Sequence, residues 1–161
     1  MKRVEVRLSI AAVAPLLDLI KAVADELRVH VAVPVALVGA DVDFAEVWRE
    51  ELLKSQREDC DRLFSLFDQE FFSDGVVAFD RDNAEAVLRA CAALRLRFRG
   101  THLEKITDEE LEALEASSNM DRFAETEKKA FACFIFLDEL QKIILKYLDP
   151  LSADGDEEID R

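Results

Sequence analysis

The chain has 161 residues, of which 50% are apolar and 35% are charged, and its formal net charge at pH 7 is −14. This balance is typical of one folded domain with a sizeable core and excludes a wholly disordered chain. Only four glycines and three prolines occur, too few for a β-sandwich or barrel with frequent tight turns. The negative charge disfavours nucleic acids and anionic membranes as partners, because both repel an acidic surface.

The first predicted elements are a strand and a helix. Residues 3–8 alternate charged and apolar side chains, which is the period of a half-buried strand. Apolar residues then recur at helical spacing over 16–27, which predicts an amphipathic helix with Pro15 in its first turn. Residues 29–38 are rich in β-branched side chains and predict a second strand. Pro34 makes it an edge strand or an extended connection.

A long helical pattern covers residues 43–72. Its apolar stripe begins with four side chains that we expect on the core-facing side: Phe44, Val47, Trp48 and Leu52. The stretch 54–59 is polar on all sides, which predicts either an exposed middle or a break between two helices. Residues 73–75 end the pattern, and the apolar residues 76–79 predict a short strand.

Three further helices complete the predicted fold. The first covers residues 82–98, with Gly100 in the position of a left-handed C-terminal residue. Thr107 and Glu110 have the spacing of a capping box, which indicates the start of a short helix. The last helix, over 121–148, is apolar on more than one face, as expected of a central core helix.

These patterns predict a mainly α protein, α+β at most. We expect a single-domain bundle of about five helices over residues 1–150, with a small sheet from strands near 3–8, 29–38 and 76–79. Residues 151–161 predict an acidic disordered tail. No signal peptide or membrane span is recognised, and three widely spaced cysteines suit reduced thiols, so we expect a cytoplasmic location.

Residue types needed for metal or nucleotide chemistry are scarce. The two histidines, His30 and His102, are isolated, and no zinc-type cysteine pair, EF-hand loop or glycine-rich phosphate loop occurs. We therefore expect no metal and no cofactor, and we assign no catalytic residue. The sequence does not exclude a catalytic triad, because the members of a triad meet in space rather than in sequence. It favours a non-enzymatic role over an enzymatic one.

Two groups of residues are candidate sites. The first is a basic patch for a ligand or partner, in an otherwise acidic chain: Arg89, Arg95, Arg97, Arg99 and His102. It predicts either salt bridges to the acidic segment 108–115 or docking of an acidic partner or ligand. The second is a redox group: Cys60, Cys91 and Cys133. Buried cysteines are usually inert, and a thiol switch needs Cα atoms about 4–7 Å apart.

A family resemblance rests on two segments. Residues 79–86 join an acidic helix start to Ala-Glu-Ala, and residues 94–103 read Leu-Arg-Leu-Arg-Phe-Arg-Gly-Thr-His-Leu. The later run 134–141 is an apolar helix ending in Leu-Gln. With these motifs the chain resembles a bacterial family of unknown function, typified by actinobacterial oxidative-stress-regulator-like proteins. The resemblance implies a protein that acts through protein contacts, with no known enzymatic activity.

Three functions are consistent with the sequence. The leading hypothesis is a non-enzymatic regulatory or interaction module that binds another protein, or a second copy of itself as a homodimer. The alternatives are a small-molecule-binding protein or enzyme with an arginine-lined pocket between helices, and a thiol-based redox switch. A cluster of large apolar side chains left exposed would identify an interface and favour the first.

Overall fold

A computed structural model describes residues 3–32, 42–117 and 123–148. This part of the chain forms a mainly helical fold with a small sheet, which confirms the predicted class. Its elements, in chain order, are β1 (Arg3–Arg7), α1 (Ile10–Glu26), α2 (Val42–Phe64), α3 (Gln69–Asp74), β2 (Val76–Asp80), α4 (Ala84–Gly100), α5 (Asp108–Ser117) and α6 (Glu125–Tyr147). The predicted tail, 151–161, lies outside the described residues.

Helices α4 and α6 form the centre of the fold. α4 packs against α6 and α2, and α1 packs against both α4 and α6. Leu94 and Phe98 of α4 are fully buried, as are Leu137 and Ile144 of α6, because each pair recurs on one face of its helix. The prediction of a central last helix is confirmed.

The sheet consists of two antiparallel strands. β1 pairs with β2 so that Arg3 lies opposite Asp80 and Arg7 lies opposite Val76. Gly75 ends α3 in a left-handed conformation with φ of 74°, and its carbonyl accepts a hydrogen bond of 2.7 Å from the Leu8 amide. The predicted strands at 3–8 and 76–79 are therefore confirmed.

The third predicted strand, 29–38, is wrong for residues 29–32, the part that the structure describes. Residues 29–32 form a turn and a bend, and residues 33–38 lie outside the described residues. The amides of Val29 and His30 both donate to the carbonyl of Glu26, which extends the last turn of α1. These local hydrogen bonds override the β propensity of the branched side chains.

Two helix ends differ from the prediction. α1 begins at Ile10 after the cap Ser9, so Pro15 lies inside the helix rather than in its first turn. Gly100 is the last residue of α4 and not a left-handed cap. That end is instead closed by the Thr101 hydroxyl, which donates to a carbonyl of the preceding turn. Short polar side chains can replace glycine at helix ends because they satisfy the free backbone groups.

The start of α5 agrees with its predicted capping box. The Glu110 amide donates to the Thr107 hydroxyl at 3.1 Å, and the Thr107 amide donates to the Glu110 carboxylate at 3.2 Å. These two bonds satisfy backbone donors that a helix start leaves free. The local sequence pattern alone therefore places this helix.

The polar stretch 54–59 lies inside α2, which continues through it without a break. Gln56 links it to the end of α1: its Oε1 accepts from the Ala32 amide at 2.7 Å, and its Nε2 donates to the carbonyls of Leu27 and His30, each at 3.0 Å. Asp59 is only 7% exposed. Two of its polar side chains therefore have partners within the fold: Gln56 binds backbone groups near the end of α1, and Asp59 binds the guanidinium of Arg89.

Candidate functional site

The basic patch begins with Arg89 on α4, which pairs with α2. Its guanidinium donates two hydrogen bonds of 3.0 Å to the Asp59 carboxylate and one of 2.8 Å to Glu85. The hydrogen bond to Asp59 raises the pKa of Arg89 above its usual value. The guanidinium of Arg89 therefore stabilises the contact between α4 and α2.

Arg95 faces α6 instead. Its Nη1 donates to Gln141 at 2.8 Å, its Nη2 lies 3.4 Å from Asp138, and its guanidinium lies 4.8 Å from the centre of the Phe134 ring. The buried Nε has no hydrogen-bond partner in the described structure. The guanidinium thus contacts side chains of α6 through both charge and ring face.

Arg97 and Arg99 point in two further directions. Arg97 binds Glu26 at the end of α1, with an N–O distance of 2.8 Å. Arg99 donates to the Leu103 carbonyl at 2.6 Å and to Asp108 at 2.7 Å, the first residue of α5. Only this last pair matches the predicted salt bridges to the acidic segment that follows α4.

His102 lies beside the end of α4, where its Nδ1 is 3.2 Å from the Thr101 hydroxyl. Its ring packs at 5.6 Å from the buried ring of Phe98. It contacts none of the acidic partners of the four arginines within the described residues. Its surroundings are those of a side chain that covers a helix end.

The four arginines therefore do not converge on one point. Each joins α4 to a different element: α2, α6, α1 or the start of α5. An anion-binding pocket needs several donors directed at one position. The observed arrangement favours a structural role for this patch, in which one helix is tied to its neighbours.

The three cysteines are free thiols in the core. Burial raises the pKa of Cys60 to about 11, and the pKa values of Cys91 and Cys133 to about 12. Thiolate, the reactive form, is consequently scarce near neutral pH. This environment favours the inert interpretation of the cysteines over the redox switch.

The largest departure from the sequence analysis is on the first half of α2. We define the α2 patch as Phe44, Val47 and Trp48, which are 56%, 62% and 45% exposed although all three were predicted to lie in the core. The rings of Phe44 and Trp48 are stacked, with centroids 6.4 Å apart. The prediction is wrong because, within the described residues, the buried positions of α2 begin only at Leu53, after the patch.

Helix geometry explains the exposure. With about 100° of rotation per residue, the α2 patch spans about 100° of the helix surface. Leu53, Cys60 and Leu63 are buried, and they lie on a different arc, which faces α4 and the core. The apolar arc of α2 therefore changes direction along the helix, so that the patch points away from the core.

Acidic residues border the α2 patch. Asp43, Glu46, Glu50 and Glu51 are exposed, and together with Val47 they line a shallow depression on the helix surface. Arg49 lies on the side facing the body, where it donates to the Val29 carbonyl at 2.8 Å. The result is an apolar surface with a negatively charged margin.

A sequence signal for this surface does exist. Within 42–52, four acidic residues interrupt the apolar ones, and only Arg49 is basic. A core-facing helix normally keeps a continuous apolar stripe. In α2 the apolar residues move from one arc of the helix to another between Trp48 and Leu53, and this change distinguishes the patch from the core.

Comparisons with protein-family models, curated proteins and solved structures found no match to this chain. The family resemblance inferred from the sequence motifs therefore stays a prediction. None of the described helices is long and apolar enough to cross a membrane. Across residues 3–32, 42–117 and 123–148, no three His, Cys, Asp or Glu side chains form a group that could hold a metal ion.

Proposed function

We propose that this protein is a non-enzymatic regulatory module that binds another protein through the α2 patch. The observation that carries the proposal is the exposure of Phe44, Val47 and Trp48 on neighbouring turns of one helix. The resemblance to oxidative-stress-regulator-like proteins supports the same kind of role. A cytoplasmic setting with reduced thiols is part of the proposal.

The composition of the patch supports a contact surface. Single exposed apolar residues are common, as Leu96 and Leu145 illustrate. A tryptophan stacked on a phenylalanine beside a valine is different, because aromatic side chains are enriched in the centres of protein interfaces. Burying these three side chains against a partner would contribute several kcal/mol of hydrophobic free energy, at about 25 cal/mol per Å², which offsets part of the entropy lost on association.

The way α2 is anchored also supports the proposal. Its second half is packed against α4, and Gln56 and Arg49 bind backbone carbonyls at the end of α1. The patch is thus part of a helix whose position is already set before a partner arrives. A preorganised surface loses less conformational entropy on binding.

The margin of the patch favours a different protein over a second copy. In a symmetric dimer each patch faces the same patch of the other copy. Glu46, Glu50 and Glu51 would then lie close to the same acids of the partner copy, and like charges destabilise an interface. We therefore assign the patch to a heterologous partner.

Site-specific photo-crosslinking in native cells tests this function. A benzoylphenylalanine in place of Phe44 should form one discrete crosslinked product. The same group in place of Phe72, which is 53% exposed, is the matched control and should not form it. Val47→Asp should remove the product and lower thermal stability only slightly, since Val47 is 62% exposed.

The outcomes of this experiment distinguish a different protein from a second copy as the partner of the α2 patch. Identical products from both positions, or no product from Phe44, would overturn the proposal. A product with twice the mass of the chain would assign the patch to a homodimer and contradict the heterologous partner. Light scattering of the purified protein provides an independent check, because we expect a monomer.

A further inference from the structure

We infer that the partner presents a basic amphipathic helix to the α2 patch, an inference that rests on the proposed function. The patch residues follow the i, i+3, i+4 spacing at Phe44, Val47 and Trp48. That spacing forms the ridge with which one helix packs against another. The charge around the patch then determines which kind of helix fits.

The acidic margin lies along one side of the patch and at its C-terminal end. At about 100° per residue, Asp43, Glu46 and Glu50 fall within about 60° of one another, next to Val47. Glu51 follows Val47 by one turn. A helix packed on the patch would place its flanking residues opposite these carboxylates, where Lys or Arg is favourable and Asp or Glu is repelled.

Three of these carboxylates are available to a partner. Glu46, Glu50 and Glu51 make no ion pair with any residue in the described part of the chain, whereas Glu26, Glu85 and other acids are paired with arginines. Lys54 is the nearest cation toward the C-terminus. Acids already neutralised within the fold would attract a basic partner weakly, so the absence of such pairs strengthens the inference.

The shape of the surface matches a long basic side chain. The depression lined by Asp43, Glu46, Val47, Glu50 and Glu51 has an apolar wall and an acidic margin. A lysine or arginine can lay its aliphatic stem along Val47 while its charged end reaches the carboxylates. Apolar residues of the same helix would meanwhile cover the stacked rings.

The chain contains its own probe for this contact. Trp48 is the only tryptophan, so emission excited selectively from tryptophan, and not from Tyr147, reports on the α2 patch alone. The titrant is a synthetic amphipathic helix of about five turns made of Leu and Lys. A second peptide with Glu in place of every Lys is the comparison.

The Lys peptide should shift the Trp48 emission to shorter wavelength in a saturable manner, and the Glu peptide should not. Affinity should fall about tenfold between low salt and about 0.3 M NaCl, because salt screens exposed charges. The absence of a saturable shift, equal binding of both peptides, or an affinity independent of salt would each overturn the inference.

Two matched triple variants test the location of the charge. E46Q/E50Q/E51Q should weaken binding of the Lys peptide about tenfold. E109Q/E112Q/E115Q removes the same charge from exposed positions of α5 and should stay within about twofold of wild type. Equal losses in the two triples would overturn the inference, because the attraction would then come from the net charge.

A third variant separates this inference from the proposed function. Val47→Asp should reduce the emission shift, because it puts a charge into the apolar contact that the peptide covers, and this loss outweighs the attraction of one more carboxylate for Lys. If Val47→Asp abolishes crosslinking in cells but E46Q/E50Q/E51Q leaves peptide binding and crosslinking unchanged, the patch is an interface whose partner is not basic. If neither variant changes crosslinking, the proposed function itself fails.

Discussion

The guanidinium of Arg89 donates two hydrogen bonds of 3.0 Å each to the carboxylate of Asp59, and the pair joins α4 to α2. Asp59 is the buried partner, whereas the side chain of Arg89 is half exposed. This asymmetry means that the two residues contribute differently to stability. Removing the cation beside a buried carboxylate lowers the free energy of unfolding more than removing the anion beside a half-exposed arginine.

Arg89→Met should therefore lower the free energy of unfolding by about 2–3 kcal/mol, because Asp59 is left buried and unpaired. Glu85→Gln is the matched control, since it removes the exposed partner of the same arginine and should cost at most about 0.5 kcal/mol. Urea unfolding at neutral pH measures both. Similar losses in the two variants would show that burial of Asp59 does not matter.

Gln56→Glu should destabilise the protein by about 2 kcal/mol at pH 7. The substitution replaces an amide that donates to the carbonyls of Leu27 and His30 with a carboxylate that faces them. Because these carbonyls disfavour the ionised form, the pKa of the new carboxyl would be raised in the folded state, and stability should recover as pH falls toward about 5.

The control for this variant is Gln69→Glu, at the exposed start of α3, which should change stability little at either pH. Unfolding curves of both variants and the wild type at pH 7 and pH 5 give the comparison. If the loss from Gln56→Glu is the same at both pH values, the carboxylate does not face the two carbonyls as described.

Local signals predicted much of the fold, since they act within a few residues. The capping box of Thr107 and Glu110 and the turn at Gly75 are both of this kind. The hydrogen bonds of Gln56 could not be predicted in the same way. A polar residue inside a helix is normally predicted to be exposed, and the partners of Gln56 lie at the end of another helix, α1.

The candidate site was harder to predict for a related reason. Trp48 has the spacing of a core residue, but the core contains only those turns of α2 that α4 covers. Likewise, sequence grouped four arginines because they are close along α4, while their partners lie on four different elements. Helix length relative to its neighbours and the direction of each side chain are tertiary properties.

Gly75→Ala should destabilise the protein by about 2–4 kcal/mol. Gly75 has φ of 74°, and an added Cβ would lie 2.5 Å from the carbonyl oxygen of Leu8, so strain and a backbone clash combine. Gly100→Ala is the control: it lies in α4, and apart from the backbone of its own helix and its chain neighbours no atom lies within 4 Å of the new Cβ. We expect it to be neutral or to stabilise by up to about 1 kcal/mol. Thermal unfolding of both variants would contradict this if Gly100→Ala were the more destabilised.

The buried thiols should make stability fall at alkaline pH. Cys91 has its pKa raised from 9.0 to about 12 by burial, so the fold favours the neutral thiol. This contribution is complete below pH 9, where the unfolded chain also keeps its thiols protonated, and is lost as pH rises toward 12. The slope per thiol is at most about 1.4 kcal/mol per pH unit. Cys91→Ala should flatten the decline in urea midpoint between pH 9 and pH 11, whatever its cost at pH 7, and an unchanged slope would show that Cys91 ionises freely in the folded protein.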